Sequence, residues 1–238
     1  MANSYFQFKE FRIEQEKSAM KVTTDGCLFG AWVASTFEDK TIGSVLDIGT
    51  GTGLLTLMLA QKIESKFDAV EIDENAAAEA SQNFQNSKWA KRITLHHLSI
   101  QEFNPSYQFD VIVCNPPFFN QNLKGQSKSK NLAIHDDELK ATDLANQIDR
   151  LLALQGTTYV MFPPREMESF QAIAMKMGIY LREKLLVKNL ENQRPIRVLA
   201  SFTRNVSEQI VRDLAIKKDA NDYSDDFKHL LRQYYVYL

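Results

Sequence analysis

The sequence predicts an α/β protein built on a doubly wound, mostly parallel sheet, and three observations lead to this fold class. Strand-like apolar runs alternate with helix-like segments from Ser44 onward. The run at residues 109–115 contains the continuous apolar stretch VIVC, which is typical of parallel strands that helices cover on both faces. A glycine-rich turn joins the first run to the first helix-like segment. Ligands of such sheets bind at the carboxyl ends of the strands, so this turn indicates where a site lies.

The runs can be assigned in order along the chain. Five are expected to form the parallel part of the sheet, at residues 44–49, 67–73, 92–98, 109–115 and 156–162. Two stretches of alternating character resemble an antiparallel pair at the end of the sheet, at residues 180–189 and 194–204. Helices are expected at residues 54–63, 74–86, 138–154, 164–178 and 225–238. The prediction is therefore a seven-stranded mixed sheet with an antiparallel terminal strand and helices on both faces.

Length and composition predict one domain. A chain of 238 residues can bury a substantial core. We expect an N-terminal segment at residues 1–40, the α/β core at 41–204 and a helical tail at 205–238. The formal net charge is −2, so nothing global steers the protein toward nucleic acid, and any such footprint has to be local.

Other features argue against whole classes of protein. Cys27 and Cys114 are too few for a disulfide framework, and the four histidines lack zinc-like spacing, so we expect no metal. The N-terminus lacks the apolar core of a signal peptide, and no run approaches the ~18 apolar residues of a membrane span. We therefore expect no membrane partner and a cytoplasmic location.

The glycine-rich turn, DIGTGTG, is the first candidate site. It contains Asp47, Gly49, Gly51 and Gly53. Glycine permits positive φ and lets a ligand approach the backbone, although a tight turn needs glycine in any case. The spacing is G-x-G-x-G, whereas dinucleotide enzymes use G-x-G-x-x-G, so the pattern disfavours NAD without excluding it.

An acidic residue follows at the expected distance. The second strand ends in VEID, and an acid roughly 20 residues beyond the glycines can accept hydrogen bonds from both ribose hydroxyls of a bound nucleoside. Of the two acids we favour Glu71, with Asp73 as the cap of the following helix. Either acid taken alone could equally be a solvated surface group.

The tetrapeptide Asn115-Pro116-Pro117-Phe118 follows the fourth expected strand. Asn-Pro alone is a common turn signal, but this position beside the glycine-rich turn favours catalysis. The side-chain oxygen of Asn115 and the carbonyl of Pro116 could accept hydrogen bonds from both N–H groups of a conjugated amine and so make its nitrogen nucleophilic. Pro117 would stiffen this backbone. Phe118 would stack on a base, a contact that contributes roughly 1–3 kcal/mol to binding. Phe119 is a further aromatic candidate, although we expect it to pack in the core.

The turn, VEID and NPPF together resemble the class I, Rossmann-like S-adenosylmethionine (SAM) methyltransferases. The resemblance implies SAM as the cofactor and an exocyclic amino nitrogen as the acceptor. That family often places an acid after the third strand to receive the adenine amino group of SAM. Here Ser99 stands at that position, so we expect Ser99 and the backbone of Ile100 to serve instead.

Further motifs narrow the resemblance. The pattern FKxFxIxQ at residues 8–15, AMKVTTDG at 19–26 and the C-terminal YSDDFKHLLRQYYVYL resemble the bacterial tRNA(Val) adenine-37 N6-methyltransferases over nearly the whole chain. The resemblance implies that the AMKVTTDG stretch closes over the methionine end of SAM. The residues expected to contact SAM are Lys21, Thr24 and Asp25. Considered without the resemblance, the stretch predicts only that Asp25 caps the helix that follows.

The same resemblance implies tRNA as the partner, bound through the anticodon arm of tRNA(Val), by a monomer or weak dimer. Lys124, Lys128 and Lys130 follow the tetrapeptide with no acid between them and suit phosphate contacts, as a solvated loop also would. A second basic cluster on the terminal hairpin is a further candidate: Arg182, Lys184, Lys188, Arg194, Arg197 and Arg204.

Three other functions stay open at this point. Glutamine N5 methylation of a protein also uses an NPP-type motif, but only about forty residues precede the core, too few for the N-terminal helical domain of those enzymes. Guanine N2 methylation of ribosomal RNA fits NPPF as well. A SAM sensor without catalysis is the third, disfavoured by the intact tetrapeptide.

Overall fold

The computed structural model describes residues 4–18, 20–37, 41–116 and 141–238. The chain begins with a small antiparallel hairpin of β1 (Tyr5–Gln7) and β2 (Arg12–Glu14), followed by helix α1 (Thr24–Ser35). The main sheet and its helices then follow in sequence. They are β3 (Ser44–Ile48), α2 (Leu54–Ala60), β4 (Lys66–Glu71), α3 (Glu74–Gln85), β5 (Ile93–His97), β6 (Phe109–Cys114), α4 (Ala141–Leu151), β7 (Leu152–Phe162), α5 (Pro164–Lys176), β8 (Tyr180–Leu190), β9 (Arg197–Thr203), β10 (Ile210–Lys217) and α6 (Asp225–Leu231).

Over the described residues, the main sheet has eight strands in the order β10-β8-β9-β7-β6-β3-β4-β5. The five strands from β7 to β5 are parallel, as the apolar runs predict. The doubly wound α/β class is confirmed. The predicted count of seven is one too low, and the antiparallel strand is not terminal. It is β9, which lies between β7 and β8.

The eighth strand comes from the segment that we expected to be a helical tail. β10 pairs in parallel with β8 at the edge of the sheet, and helix α6 covers only Asp225–Leu231. Leu214 and Ile216 are buried at alternate positions, as in a strand, whereas the first four residues of β10 are exposed. Because only half of this strand contacts the core, its alternation is too short to recognise in the sequence.

Two apolar cores lie on opposite faces of the sheet, which confirms helices on both faces. One core contains side chains of α1, α2, α3 and α6, together with Phe8 and Phe11 of the N-terminal hairpin. The other contains side chains of α4 and α5. The two chain termini meet on the first face, where the backbone N–H of Lys9 donates to the carbonyl of Tyr234 (2.8 Å). Within the described ranges, no helix combines the length and apolar character that crossing a membrane requires.

Strand register decides which loops meet at the carboxyl edge of the sheet. Ile48 of β3 pairs with Cys114 of the neighbouring β6. The next residues, Gly49 and Asn115, therefore leave the sheet side by side, because adjacent strands lie only about 4.8 Å apart. The glycine-rich turn and the first residue of NPPF thus share one site, at the point where the chain switches direction across the sheet.

Candidate active site

The glycine-rich turn has the backbone geometry that only glycine adopts easily. Gly49, Gly51 and Gly53 have φ of +68°, +58° and +86°. Among the described residues, a Cβ on Gly49 or Gly51 would meet nothing within 4 Å, so both face open space in which a ligand could contact the backbone. A Cβ on Gly53 would instead lie 2.4 Å from the ring of Phe84, so this glycine is needed for packing against α3.

Asp47 lies buried beneath this turn. The hydroxyls of Thr50 and Thr56 each donate to its Oδ2 (2.7 Å). Its Oδ1 is buried and receives no hydrogen bond from the described residues. Burial raises the pKa of Asp47 to about 6, although the two hydroxyl groups oppose the shift, and the nearby charge of Glu71 adds to it. A buried acceptor without a donor costs free energy, which a ligand donor at this position would recover.

The raised pKa of Asp47 predicts a stability change with pH. The carboxyl of Asp47 binds its proton more tightly in the folded than in the unfolded protein. Its contribution to the free energy of unfolding is therefore fully present below the ordinary pKa of 3.8 and is lost as the pH rises through the folded pKa of about 6. Asp47→Asn cannot titrate. Relative to this variant, we expect the free energy of unfolding of the wild type to fall by about 3 kcal/mol over that interval. Urea unfolding of both proteins from pH 4 to pH 7 measures it, and a constant difference would contradict the prediction.

Glu71 forms the adjoining wall of the site at the end of β4. Its carboxylate accepts hydrogen bonds from the backbone N–H groups of Gly51 (2.8 Å), Ile72 and Asp73 (2.9 Å each). A carboxylate has about four acceptor positions, so three internal donors leave room for a ligand hydroxyl. Asp73 caps α3 as predicted, because its side chain accepts from the N–H of Ala76. Ile72 was not predicted as a site residue, yet it is an apolar side chain 57% exposed next to Glu71.

Asn115 faces the N-terminus of α1. Its Oδ1 is buried and accepts no hydrogen bond from any residue in the described ranges. Its Nδ2 lies 4.0 Å from the position of a Cβ on Gly26, in the first turn of α1. The AMKVTTDG stretch therefore ends directly beside the tetrapeptide. Helix α1 is capped by Thr23, whose side chain accepts from the N–H of Gly26, and the local prediction of Asp25 as the cap is wrong.

Two further residues predicted around α1, Asp25 and Lys21, have partners within the protein. Asp25 forms an ion pair with Arg197 at the start of β9 (2.8 Å), which joins the first turn of α1 to the sheet. The ammonium of Lys21 donates to the carbonyls of Gln15 and Glu16. Thr24 begins α1 and is exposed.

Ser99 and Ile100 lie after β5, at the same edge of the sheet. The hydroxyl of Ser99 donates to Glu102 Oε2 (2.7 Å), and the carbonyl of Ile100 accepts from the guanidinium of Arg150 (3.2 Å). The Ile100 side chain is buried in the core under α4 and α5. Both residues thus lie near the expected adenine position, but each already has a partner.

Part of the predicted site lies outside the described residues: Pro117, Phe118, Phe119, Lys124, Lys128 and Lys130. The second basic cluster is described, and two of its members lie at opposite ends of β9: Arg197 begins the strand and Arg204 follows it. Besides the pair of Arg197 with Asp25, Arg204 pairs with Asp149 (2.7 Å) and Lys188 with Asp213 (3.1 Å). Arg204 follows the carboxyl end of the antiparallel strand β9, at the edge of the sheet opposite the site.

The charge of the site is negative. Asp47 and Glu71 approach each other and Cys114, and burial together with these two carboxylates keeps the pKa of the Cys114 thiol well above its ordinary value. Cys114 is therefore a protonated thiol and no nucleophile. Among the residues that the structure describes, no group of three or more His, Cys, Asp or Glu could hold a metal ion. An acidic wall, an open glycine turn and two buried acceptors suit a cationic nucleoside ligand such as SAM.

The doubly wound sheet with this site defines a class I SAM-dependent methyltransferase, and comparison with known proteins agrees. Residues 30–145 match the methyltransferase small domain family. Among solved structures, a protein described as a class I SAM-dependent methyltransferase from Listeria monocytogenes has a TM-score of 0.61, with 15% identity, over 86% of this chain and 68% of that chain. A ribosomal protein L11 methylase from Lactobacillus delbrueckii has a TM-score of 0.57, with 17% identity, over 82% and 84%. These two structures share the fold.

Relatives of much higher identity place the chain within this class. The tRNA1(Val) (adenine(37)-N6)-methyltransferase of Phocaeicola vulgatus is 37% identical over 99% of both chains. The protein of the same name from Pseudoalteromonas translucida is 39% identical over 98% of this chain and 99% of its own. The chain belongs to the family of tRNA1(Val) (adenine(37)-N6)-methyltransferases, and its cofactor is SAM.

Proposed function

We propose that this enzyme transfers the methyl group of SAM to N6 of adenine 37, next to the anticodon of tRNA(Val). The supporting observation is the buried Oδ1 of Asn115, which accepts no hydrogen bond from the described residues and lies beside the glycine-rich turn. Relatives that match this chain over nearly its full length carry that activity in their names. An adenine amino group has two N–H donors and needs such acceptors. A buried acceptor without a donor is rare in folded proteins, which favours a ligand at this place.

In this proposal the tetrapeptide activates and orients the amino group. When bound, SAM supplies a methyl group made electrophilic by its positive sulfur. Asn115 Oδ1 and the carbonyl of Pro116 accept the two N–H groups, so that the nitrogen lone pair leaves conjugation with the ring. Pro116 restricts Asn115 to extended backbone conformations and so fixes the acceptor. Holding the nitrogen in line with the methyl carbon at about 3–3.5 Å accounts for much of the rate. The surplus proton of the methylated nitrogen can leave after the transfer, so a strong general base is unnecessary.

The cofactor contacts are proposed on the same geometry. The turn that contains Gly49, Gly51 and Gly53 lets SAM approach its backbone, through the open space at Gly49 and Gly51. Glu71 uses its remaining acceptor position on a ribose hydroxyl. Ile72 presents its exposed apolar side chain to the adenine ring. Lys21, Thr24, Asp25, Asp47, Ser99 and Ile100 complete the proposed cofactor residues, with Asn115 at the boundary between cofactor and acceptor.

The RNA contacts are proposed from the sequence. Pro117 and Phe118 complete the tetrapeptide, with Phe118 stacking on the target adenine and Phe119 beside it. Lys124, Lys128 and Lys130 contact phosphates of the anticodon arm. Position 37 lies in the anticodon loop, where a base can leave the stack at a cost of only a few kcal/mol before it reaches the amino-accepting groups.

A labelling experiment tests the acceptor. Purified enzyme is incubated with methyl-labelled SAM and an unmodified tRNA(Val) transcript, and the nucleosides are analysed by mass spectrometry. We expect N6-methyladenosine at position 37. A matched transcript with guanine at position 37 keeps the fold of the tRNA but loses the acceptor, so it should take up no label.

Parallel reactions with ribosomal RNA and a peptide release factor address the two rival acceptors. Labelling of either one, with none in tRNA(Val), would exclude the proposal. Equal labelling of the two tRNA transcripts would be consistent with a tRNA methyltransferase but would exclude adenine 37 as the methylated base.

A further inference from the structure

Helix α3 carries two buried polar side chains on one face, one turn apart. Glu79 and Asn83 are 5% and 2% exposed and lie among the apolar residues Ala76, Ala80 and Phe84. Neither residue belongs to the cofactor or acceptor groups proposed above. Because buried polar groups are almost always hydrogen-bonded, their partners show what this face of the helix holds together.

The partners of Asn83 come from two distant segments. One is the strap, which we define as residues 14–18, from the last residue of β2 onward. Asn83 Oδ1 accepts from the N–H of Glu14 (2.9 Å), and its Nδ2 donates to the carbonyls of Glu14 (3.0 Å) and Thr52 (2.8 Å). Thr52 stands between Gly51 and Gly53 in the glycine-rich turn. One amide therefore joins the strap to the turn and uses both of its donors to do so.

Glu79 holds the other end of the strap. Its carboxylate accepts from the backbone N–H groups of Lys17 (2.5 Å) and Ser18 (2.8 Å) and from the hydroxyl of Ser18. Burial would raise the pKa of Glu79, but these hydrogen bonds and the charge of Lys21 outweigh it, and the pKa is lowered. The strap is thus fixed to α3 at both ends, while only Asn83 also binds the turn.

The strap is connected to the acceptor side of the site. Gln15 Oε1 accepts from the N–H of Val22, just before α1 (2.7 Å), and Lys21 donates to the carbonyl of Glu16 (3.2 Å). Helix α1 then begins, with Gly26 beside Asn115. A displacement of the strap would therefore move the N-terminus of α1 relative to the turn.

We propose that Asn83 is a positioning residue that holds the glycine-rich turn and the strap in the arrangement that binds SAM. The inference rests on the proposed function only in assigning that turn to the cofactor. A turn with three positive-φ glycines has many conformations open to it. Fixing one of them before the ligand arrives removes an entropic cost from binding. Asn83 acts through Thr52 and Glu14 and does not touch the reacting atoms.

The test is Asn83→Asp, which keeps the shape of the side chain and the acceptor for Glu14 but removes both donors. A carboxylate oxygen then faces two carbonyl oxygens, so the turn and the strap should separate. We expect the Kd for SAM, measured by calorimetry without RNA, to rise at least about 10-fold. The KM for SAM should rise equally, while kcat at saturating SAM stays within about 3-fold, because binding energy restores the arrangement.

Two further variants make the test specific. Asn86→Asp makes the same chemical change at an exposed position at the end of α3, and it should leave both constants unchanged. Glu79→Gln weakens the strap alone; hydrogen exchange of residues 14–18 should quicken, with a smaller change in the Kd for SAM than Asn83→Asp gives. If Asn83→Asp does not fold, Asn83→Ala removes the same bonds without adding charge.

An unchanged Kd and KM for SAM in a folded Asn83 variant would overturn the proposal. A lower kcat with unchanged KM would overturn it as well, because that is the pattern of a merely structural loss of active protein. Binding is measured without RNA. A wild type that binds SAM but does not methylate tRNA therefore refutes the proposed acceptor and leaves the role of Asn83 open to measurement.

Discussion

Asn115→Ala is expected to reduce kcat at least about 100-fold while the Kd for SAM changes little, by analogy with the loss of one charge-stabilising group in other active sites. The substitution removes the buried Oδ1 that receives no hydrogen bond within the described residues. Without it, one N–H of the target amine loses its acceptor and the nitrogen lone pair stays conjugated with the ring. Single-turnover rates with tRNA(Val), together with calorimetry of SAM binding, separate the two effects.

Two variants sharpen this result. Asn115→Asp keeps an acceptor oxygen in place, so its rate should fall between those of the wild type and Asn115→Ala. Asn192→Ala removes an exposed asparagine from the connection between β8 and β9 and should be neutral. Turnover by Asn115→Ala at the wild-type rate would refute the acceptor role.

The central strands could be predicted because short runs of neighbouring residues determine their burial and their ends. Residues 44–49 and 109–115 are apolar enough to be recognised as buried parallel strands, and a glycine or an asparagine marks each end. Their mutual register is not local. The pairing of Ile48 with Cys114, which brings Gly49 beside Asn115, depends on how the whole sheet packs. Likewise, β10 forms only because β8 offers it an edge, which no short window of sequence shows.

The residues of the site likewise fall into those that a local motif identifies and those that depend on distant contacts. A motif shows a residue type at a spacing, so Asp47, the glycines, Glu71 and Asn115 could be named in advance. A pattern of charged residues in the sequence does not reveal which acids they pair with. Arg197 and Arg204 were therefore grouped as a candidate RNA surface, although each forms an ion pair with an acid in the fold. Asn83 and Glu79 were missed because their partners are distant in sequence. The available signal was their position, since two polar residues four apart interrupt the apolar face of an Ala-rich helix.

The second large effect is expected at Gly51, and the chain supplies its control. Gly51 and Gly178 both have positive φ, +58° and +73°, and a Cβ on either would meet no atom of the described residues within 4 Å. Gly51→Ala and Gly178→Ala should therefore carry the same backbone strain, about 1–2 kcal/mol of unfolding free energy. Only Gly51 lies in the turn proposed to bind SAM. We expect Gly51→Ala to weaken SAM binding at least about 10-fold, because its methyl group occupies space that the ligand needs.

Gly53→Ala separates packing from ligand space within the same turn. Its Cβ would lie 2.4 Å from Phe84, so strain and overpacking add, and we expect a stability loss of about 3 kcal/mol or more. Chemical denaturation measures the free energy of unfolding of each of the three variants, and calorimetry measures its affinity for SAM. Gly178→Ala should lose stability alone, Gly51→Ala should lose the same stability and also affinity, and Gly53→Ala should lose the most stability. Wild-type affinity in Gly51→Ala would mean that SAM does not approach the turn at this residue, and the proposed contact with Glu71 would then have to account for more of the binding.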